Sequence, residues 1–135
     1  MKIIKLALVV FTMAFVATSC KKDEGKLPSI QFNTSADFVS SDITLPEGDT
    51  AVIQIIADKT EDKDVLKKFD ISLSENGGVN QSIYNVDLNS DQEDHFEYTY
   101  RAVAGAGSGH TRKYTFTISN RDGLVNQQSI TITTQ

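Results

Sequence analysis

The chain has 135 residues, one cysteine, no tryptophan and a formal net charge of −5 at pH 7. This length suits a single domain with a single core, and the acidic surface would repel phosphate backbones, which excludes nucleic acid as an expected partner. A lone cysteine can form no disulfide within the chain, so the apolar core has to stabilise the fold by itself.

The first predicted element is a secretory signal peptide at residues 1–19. Lys2 and Lys5 make its start positive, residues 6–17 are almost wholly apolar, and small residues precede Cys20. This three-part pattern is typical of export signals, and the apolar run is shorter than the roughly 20 residues of a membrane-spanning helix. Removal of the peptide would leave 11 basic against 18 acidic side chains, a net charge of −7.

The residues that end this segment, Ala17-Thr18-Ser19-Cys20, resemble a lipobox, the signal at which bacterial lipoproteins are acylated on cysteine and cleaved before it. The resemblance implies that Cys20 becomes a lipidated N-terminus, although most lipoboxes carry a branched aliphatic residue where Ala17 stands. Several acyl chains, at about 0.8 kcal/mol per buried methylene, would hold a small domain on a membrane. The alternative is an ordinary signal peptide with a free cysteine beside its cleavage site.

A short motif of two lysines and two acids follows directly: Lys21, Lys22, Asp23 and Glu24. It is similar to the export signal that sends lipoproteins of the Bacteroidetes to the outer face of the outer membrane. Four residues make a short motif, and a periplasm-facing location is the alternative. Residues 20–29 carry no apolar period, so we expect a lipidated cysteine and a polar tether there, followed by one folded domain over residues 30–135.

Within residues 30–135, alternating apolar positions rich in Val, Ile, Thr, Tyr and Phe predict seven or eight short strands. The alternating residues, in chain order, are Ile30 and Phe32; Ile43 and Leu45; Phe69, Ile71 and Leu73; Tyr84, Val86 and Leu88; Phe96, Tyr98 and Tyr100; Tyr114, Phe116 and Ile118; and Ile130 and Ile132. Asn76-Gly77-Gly78 predicts a hairpin turn, and Asn120-Arg121-Asp122-Gly123 predicts a second turn. The run at 51–57 is apolar at both phases, which predicts a central strand or a strand covered on both faces, and it does not indicate which set of side chains points inward.

Short strands at about ten-residue intervals predict an all-β antiparallel sandwich, with a small barrel as the alternative. Several runs resemble a family of single-domain immunoglobulin-like surface lipoproteins of the Bacteroidetes: residues 66–71, 96–100, 113–118 with Asp122-Gly123, and 129–133. The resemblance covers nearly the whole predicted mature chain. It implies an immunoglobulin-like sandwich of seven to eight strands at the cell envelope, and it brings no catalytic or binding residues.

The inventory of reactive side chains argues against an enzyme. The two histidines, His95 and His110, lie outside the H-E-x-x-H spacing, and the sequence contains neither a G-x-S-x-G elbow nor a P-loop. A catalytic site needs a nucleophile, a base and a group that orients them. We therefore expect no enzymatic activity and no cofactor.

Two acidic stretches are candidates for calcium. Oxygen-bearing side chains alternate at Asp87, Asn89 and Asp91, but Gln92 stands where a calcium loop has glycine, and Tyr98 where it has a bidentate glutamate. The second stretch carries four acids before the predicted strand at Phe69: Asp58, Glu61, Asp62 and Asp64. Solvated charge accounts for both stretches, so no metal is expected.

Exposed aromatic rings, which carbohydrate sites commonly use, are not predicted either. The four tyrosines fall on the apolar phase of their strands and are expected in the core: Tyr84, Tyr98, Tyr100 and Tyr114. The sequence thus predicts a non-enzymatic, lipid-anchored binding or spacer module of the cell envelope with an unidentified protein or glycan partner. The alternative is a calcium-dependent or carbohydrate-binding accessory protein of a surface glycan-capture system.

Overall fold

Two facing β-sheets make up the regular structure in the computed structural model, which describes residues 25–135. The strands are β1 (Ser29–Phe32), β2 (Ile43–Leu45), β3 (Thr50–Asp58), β4 (Leu66–Glu75), β5 (Gln81–Asp87), β6 (His95–Val103), β7 (Thr111–Asn120) and β8 (Val125–Thr134). One sheet has the order β1-β3-β6 and the other β2-β8-β7-β4-β5. The predicted all-β, immunoglobulin-like sandwich of seven to eight strands is confirmed. Over the same residues, no helix has the length and apolar character needed to cross a bilayer.

The start of the domain divides between the two sheets. β1 pairs antiparallel with β3, with Ile30 opposite Ala57. β2 pairs parallel with β8, with Ile43 opposite Ile132. The parallel pair departs from the wholly antiparallel sandwich that hairpin spacing predicts, because its two strands lie at opposite ends of the described chain and no hairpin joins them.

The inward face of β3 is the one that carries Ala51, Ile53, Ile55 and Ala57, all at 2% exposure or less. The opposite phase, which includes Val52 and Ile56, is half-buried. β3 lies between β1 and β6, so the predicted central position is confirmed. The sequence could not distinguish the faces because both are apolar, and the choice follows from where the second sheet packs.

The core between the sheets centres on β4 and β7, the inner strands of the five-stranded sheet. Phe69 lies opposite Ile118 and Ile71 opposite Phe116, and all four side chains are fully buried. Burial of each such side chain is worth about 1.5–3 kcal/mol. The ring of Phe32 in the other sheet meets Phe116 edge-on at 5.9 Å between centroids, which joins the sheets through aromatic contact.

Two tight turns have the backbone conformations that their residue types predict. Asn76 and Gly77 both have positive φ, 49° and 74°, as a hairpin that matches the right-handed twist of its strands requires, so the predicted β4–β5 hairpin is confirmed. Between β7 and β8, Gly123 has a φ of 81° and its N–H donates to Asn120 O at 3.1 Å. That turn carries Asp122 to the same end of the sandwich as the β3–β4 loop, whose Val65 carbonyl accepts from the Arg121 N–H at 2.9 Å.

Residues 25–28 belong to the stretch predicted to be a tether, and they lie against the sandwich. Lys26 O accepts a hydrogen bond from Asn120 Nδ2 at 3.2 Å, and Pro28 O accepts one from Asn126 Nδ2 at 2.9 Å. Pro28 itself is fully buried. Side chains of the last hairpin therefore satisfy the backbone of this segment, a contact between distant parts of the chain that composition does not reveal.

Candidate functional site

The predicted anchor, Cys20, and the predicted export signal, Lys21, Lys22, Asp23 and Glu24, lie outside the described residues. The described chain begins immediately after them, at Gly25. Three segments meet at this end of the sandwich: residues 25–28, the β3–β4 loop and the β7–β8 turn. This acidic end, defined by Asp64, Asp122 and Gly25, is the candidate functional site.

Asp64 is the most unusual residue of the acidic end. Its backbone N–H donates to Glu61 O at 3.2 Å, which closes a turn in the β3–β4 loop. The residue is 1% exposed, and neither carboxylate oxygen has a hydrogen-bond partner among the described residues. Buried polar groups in folded proteins nearly always have such a partner, so this carboxylate requires an explanation.

The carboxylates of Asp64 and Asp122 approach each other beside Gly25. A Cβ on Gly25 would lie 3.1 Å from Asp64 Oδ2 and 3.4 Å from Asp122 Oδ2. Contact with the Asp64 carboxyl raises the pKa of Asp122, burial and the charge of Asp64 raise it further, and Arg121 and Lys63 oppose the shift. Two ionised carboxylates both accept hydrogen bonds and repel each other, so a shared proton, a cation or a bridging water is needed to hold the pair together.

Basic side chains near the acidic end compensate part of its charge. Arg121 Nη2 lies 3.9 Å from Asp64 Oδ1, a distance that allows Coulomb attraction but no hydrogen bond, and the arginine side chain is 53% exposed. Lys26 Nζ lies 3.9 Å from Glu61 Oε1, while Glu61 Oε2 is buried without a hydrogen bond. The arrangement can therefore take up further positive charge.

Two other acids of the β3–β4 stretch, Asp58 and Asp62, have partners away from the acidic end. Asp58 Oδ1 contacts His95 Nδ1 at 2.6 Å, and Glu97 Oε1 contacts the other ring nitrogen at 3.1 Å. Asp62 is fully exposed and lies 4.0 Å from Lys59 Nζ. Asp58 and Asp62 thus separate from Asp64, and the carboxylate of Asp64 meets that of Asp122.

The calcium-like stretch after β5 uses its side chains for local structure. Asn89 Oδ1 accepts the Asp91 N–H at 3.0 Å, which closes an Asx-type turn. Gln92 Oε1 accepts the Asn89 N–H at 3.1 Å. Asp87 lies 3.8 Å from Lys68 Nζ. Over residues 25–135, no three His, Cys, Asp or Glu side chains converge as metal ligands.

The tyrosines contribute to the core as predicted. Tyr114 is 2% exposed, and the other three pack against the buried cluster. Tyr84 and Tyr98 stack with centroids 4.9 Å apart, and Tyr100 meets Tyr114 at 5.5 Å. Burial is the main cause that raises the pKa of Tyr98, Tyr100 and Tyr114.

The two histidines occupy different settings. His95 is the first residue of β6, and its side chain is about half exposed between its two acidic neighbours. Hydrogen bonds from both ring nitrogens to carboxylates raise its pKa. His110 packs against Gly105, where an added Cβ would come within 2.5 Å of His110 Cδ2. Its Nε2 lies 3.6 Å from Glu75 Oε1 and has no hydrogen bond to the described residues.

Sequence reasoning missed two parts of the acidic end. From the sequence, Asp122 is interpreted as a turn residue and Gly25 as part of a tether. Both residues are more than 35 positions from Asp64 along the chain. One local signal was present. Asp64 precedes the buried Leu66 of β4 by two residues, and side chains two residues apart in an extended chain point to the same face, which here is the face towards the core. The meeting with Asp122 follows only from the packing of the loop against the β7–β8 turn.

No known protein family and no curated protein matches the chain. Among solved structures, it is similar to the sporulation control protein Spo0M from Bacillus subtilis, with a TM-score of 0.51 and 6% identity over 82% of this chain and 50% of that one. It also aligns with the CARDB domain of the Pyrococcus furiosus protein PF1109, in complex with di-metal ions, with a TM-score of 0.43 and 10% identity over 80% of this chain and 90% of that one. The chain spans half the length of Spo0M, and at such identity the likeness shows the fold alone: the chain is a β-sandwich domain.

Proposed function

We propose that this protein is a lipid-anchored, non-enzymatic binding or spacer domain of the bacterial outer membrane, displayed on the cell surface. The N-terminal pattern supports this proposal, because a positive start, an apolar run and small residues lead to the only cysteine. The resemblance of its strands to immunoglobulin-like surface lipoproteins of the Bacteroidetes supports the same location. Its partner is a protein or a glycan.

The observation that carries the proposal is the small-residue pattern that ends at the chain's only cysteine, five residues before Gly25. The segment from Gly25 to Pro28 already lies against the sandwich, so only residues 21–24 separate the proposed lipid from the packed chain. Four extended residues reach about 14 Å. The anchor would thus hold the acidic end close to the membrane and direct the opposite end of the sandwich outward.

A role without catalysis is supported by the contacts of the histidines. Both ring nitrogens of His95 contact carboxylates, which favours the charged imidazolium over a free base. The His110 ring packs against Gly105 of the glycine-rich loop, and its Nε2 lies 3.6 Å from Glu75 Oε1. With the tyrosines packed in or against the core, a glycan partner would have to bind polar edges and loops, not an aromatic platform.

The test is replacement of the proposed acylation site. Cys20→Ser should move the protein from the membrane fraction to the soluble fraction and abolish labelling by a fatty-acid analogue. Ser90→Ala, a change in an exposed turn, should leave both unchanged. Absence of label from the wild-type protein would refute the anchor.

A further inference from the structure

We propose that Asp64 and Asp122 bind a hard divalent cation, of the Ca²⁺ or Mg²⁺ class, at the acidic end of the sandwich. The site joins the β3–β4 loop to the β7–β8 turn beside Gly25. It is independent of the lipid anchor, because its residues belong to the folded domain.

The first step of the argument is the burial of Asp64. Its side chain has no exposed surface, and both of its oxygens lack hydrogen-bond partners among the described residues. Removal of an ionised carboxylate from water costs several kcal/mol unless a positive charge or donors compensate it. A buried acceptor of this kind is expected to contact an ion or ordered water.

The second step is the position of Asp122. Its Oδ2 and that of Asp64 both lie within 3.4 Å of the point that a Cβ on Gly25 would occupy. Two like charges that approach each other in this way repel, and a divalent cation between them would remove the repulsion and compensate the buried charge of Asp64. Gly25 itself has a φ of 68°, a conformation that glycine adopts without steric strain.

The third step concerns the basic side chains nearby. Arg121 lies near Asp64, but its Nη2 is 3.9 Å from Asp64 Oδ1 and its side chain is half exposed. An arginine at this distance donates no hydrogen bond to the buried oxygens. It therefore reduces the charge of the pair without satisfying it, and both Asp64 oxygens are left for another ligand.

The ligand set indicates which cation fits. Within the described residues, no third acidic, histidine or cysteine side chain joins the pair, so its side chains supply carboxylate oxygens only. Oxygen ligands select Ca²⁺ and Mg²⁺, and both ions complete their coordination with backbone carbonyls or water. So few charged ligands correspond to the weak extracellular class of calcium sites, with a Kd of about 10⁻⁴–10⁻³ M.

The test is thermal unfolding of the full chain after chelation, with added CaCl₂ or MgCl₂ or with NaCl at matched ionic strength. At tenfold excess over the Kd, the cation that binds should raise the unfolding midpoint by about 5 °C. The response should saturate with concentration, and the two divalent arms distinguish calcium from magnesium.

Variants assign the response to the pair. Asp122→Asn, a change at an exposed residue that preserves the fold, should weaken the apparent affinity at least tenfold, and Asp64→Asn should do the same. The matched control is Asp62→Asn, which removes the same charge from a fully exposed position in the β3–β4 loop. This control should respond to the cation like the wild type.

Three results would overturn the proposal. The first is the absence of a saturable response of the wild type to either divalent ion, and the second is an equal shift with NaCl, which would indicate charge screening alone. Equal responses of Asp122→Asn and the wild type would place any cation elsewhere. Because all these readouts come from the soluble or detergent-purified chain, they are unaffected by failure of the membrane-anchor proposal.

Discussion

Phe116 connects the two halves of the core. It lies on β7, is fully buried, and contacts Phe69 in its own sheet at 6.5 Å and Tyr100 in the opposite sheet at 6.2 Å between ring centroids. The threonines beside it do not share one environment. Thr117 is half-buried, whereas Thr115 is only 5% exposed and its hydroxyl lies 3.1 Å from Ser129 Oγ.

Truncation of this ring should be severe. We expect Phe116→Ala to lower the free energy of unfolding by about 3–5 kcal/mol, because the neighbouring strands cannot collapse into the cavity. Thr117→Ala, on the opposite face of the same strand, should change it by less than about 1 kcal/mol. Denaturant unfolding of both variants measures the difference, and comparable losses would contradict the assigned face.

His95 should make stability depend on pH. The contact with Asp58, followed by that with Glu97, raises the pKa of His95 above 6.5, so the folded state holds the proton more tightly than the unfolded state. The resulting stabilisation is complete below about pH 6.5 and is lost as the pH rises through the folded pKa. An NMR titration of the ring should show the raised pKa in the wild type and a lower value in Asp58→Asn. An unchanged titration in that variant would contradict the assigned cause.

At the scale of elements, the last hairpin holds the start of the domain. Asn120, Asn126 and Gln128 donate to the carbonyls of Lys26, Pro28 and Ile30. β1 is an edge strand that pairs only with β3, so these side-chain bonds supply a second attachment. Edge strands without such contacts leave unpaired backbone groups open to other chains.

Loss of one of these bonds should loosen the segment. Asn126→Ala removes the 2.9 Å donor to Pro28 O and should lower the free energy of unfolding by about 1 kcal/mol. It should also speed proteolysis near residues 25–28. Gln127→Ala, at the exposed neighbouring position, should alter neither property. Equal proteolysis of the two variants would show that the bond does not hold the segment.

At the scale of the whole molecule, the proposed anchor would bring the acidic end towards the membrane. Only residues 21–24 separate Cys20 from Gly25, and four extended residues reach about 14 Å, so the acidic end would stay near the membrane surface. A cation at Asp64 and Asp122 would reduce negative charge where the domain approaches the headgroups, which carry negative charge in many membranes. A single orientation of the domain on the membrane is therefore compatible with the proposed lipid anchor and the proposed cation site.

Surface display follows if residues 21–24 act as an export signal. Protease added to intact cells should then degrade the domain, while a periplasmic marker protein stays intact. Replacement of Lys21, Lys22, Asp23 and Glu24 by alanine should protect it. Survival of the wild-type domain until the cells are lysed would mean that it faces the periplasm.

The candidate site was less predictable than the strands. The sequence marked Asp64 only as one of four acids in a loop, and it gave Asp122 no role beyond a turn. Alternation reports which face a residue takes within its own strand, but it carries no information on which loops meet at an end of the sandwich. Asp58 turned to His95 because those two residues are paired across β3 and β6.

By itself, the sequence determined the all-β class, the β4–β5 hairpin and the buried phase of β7, because side-chain period and turn chemistry are local properties. Tertiary structure alone decided which face of β3 is buried, the parallel pairing of β2 with β8, and the approach of Asp64 to Asp122. Each of these depends on residues far apart in the chain, and they become neighbours only when the two sheets pack on a common core.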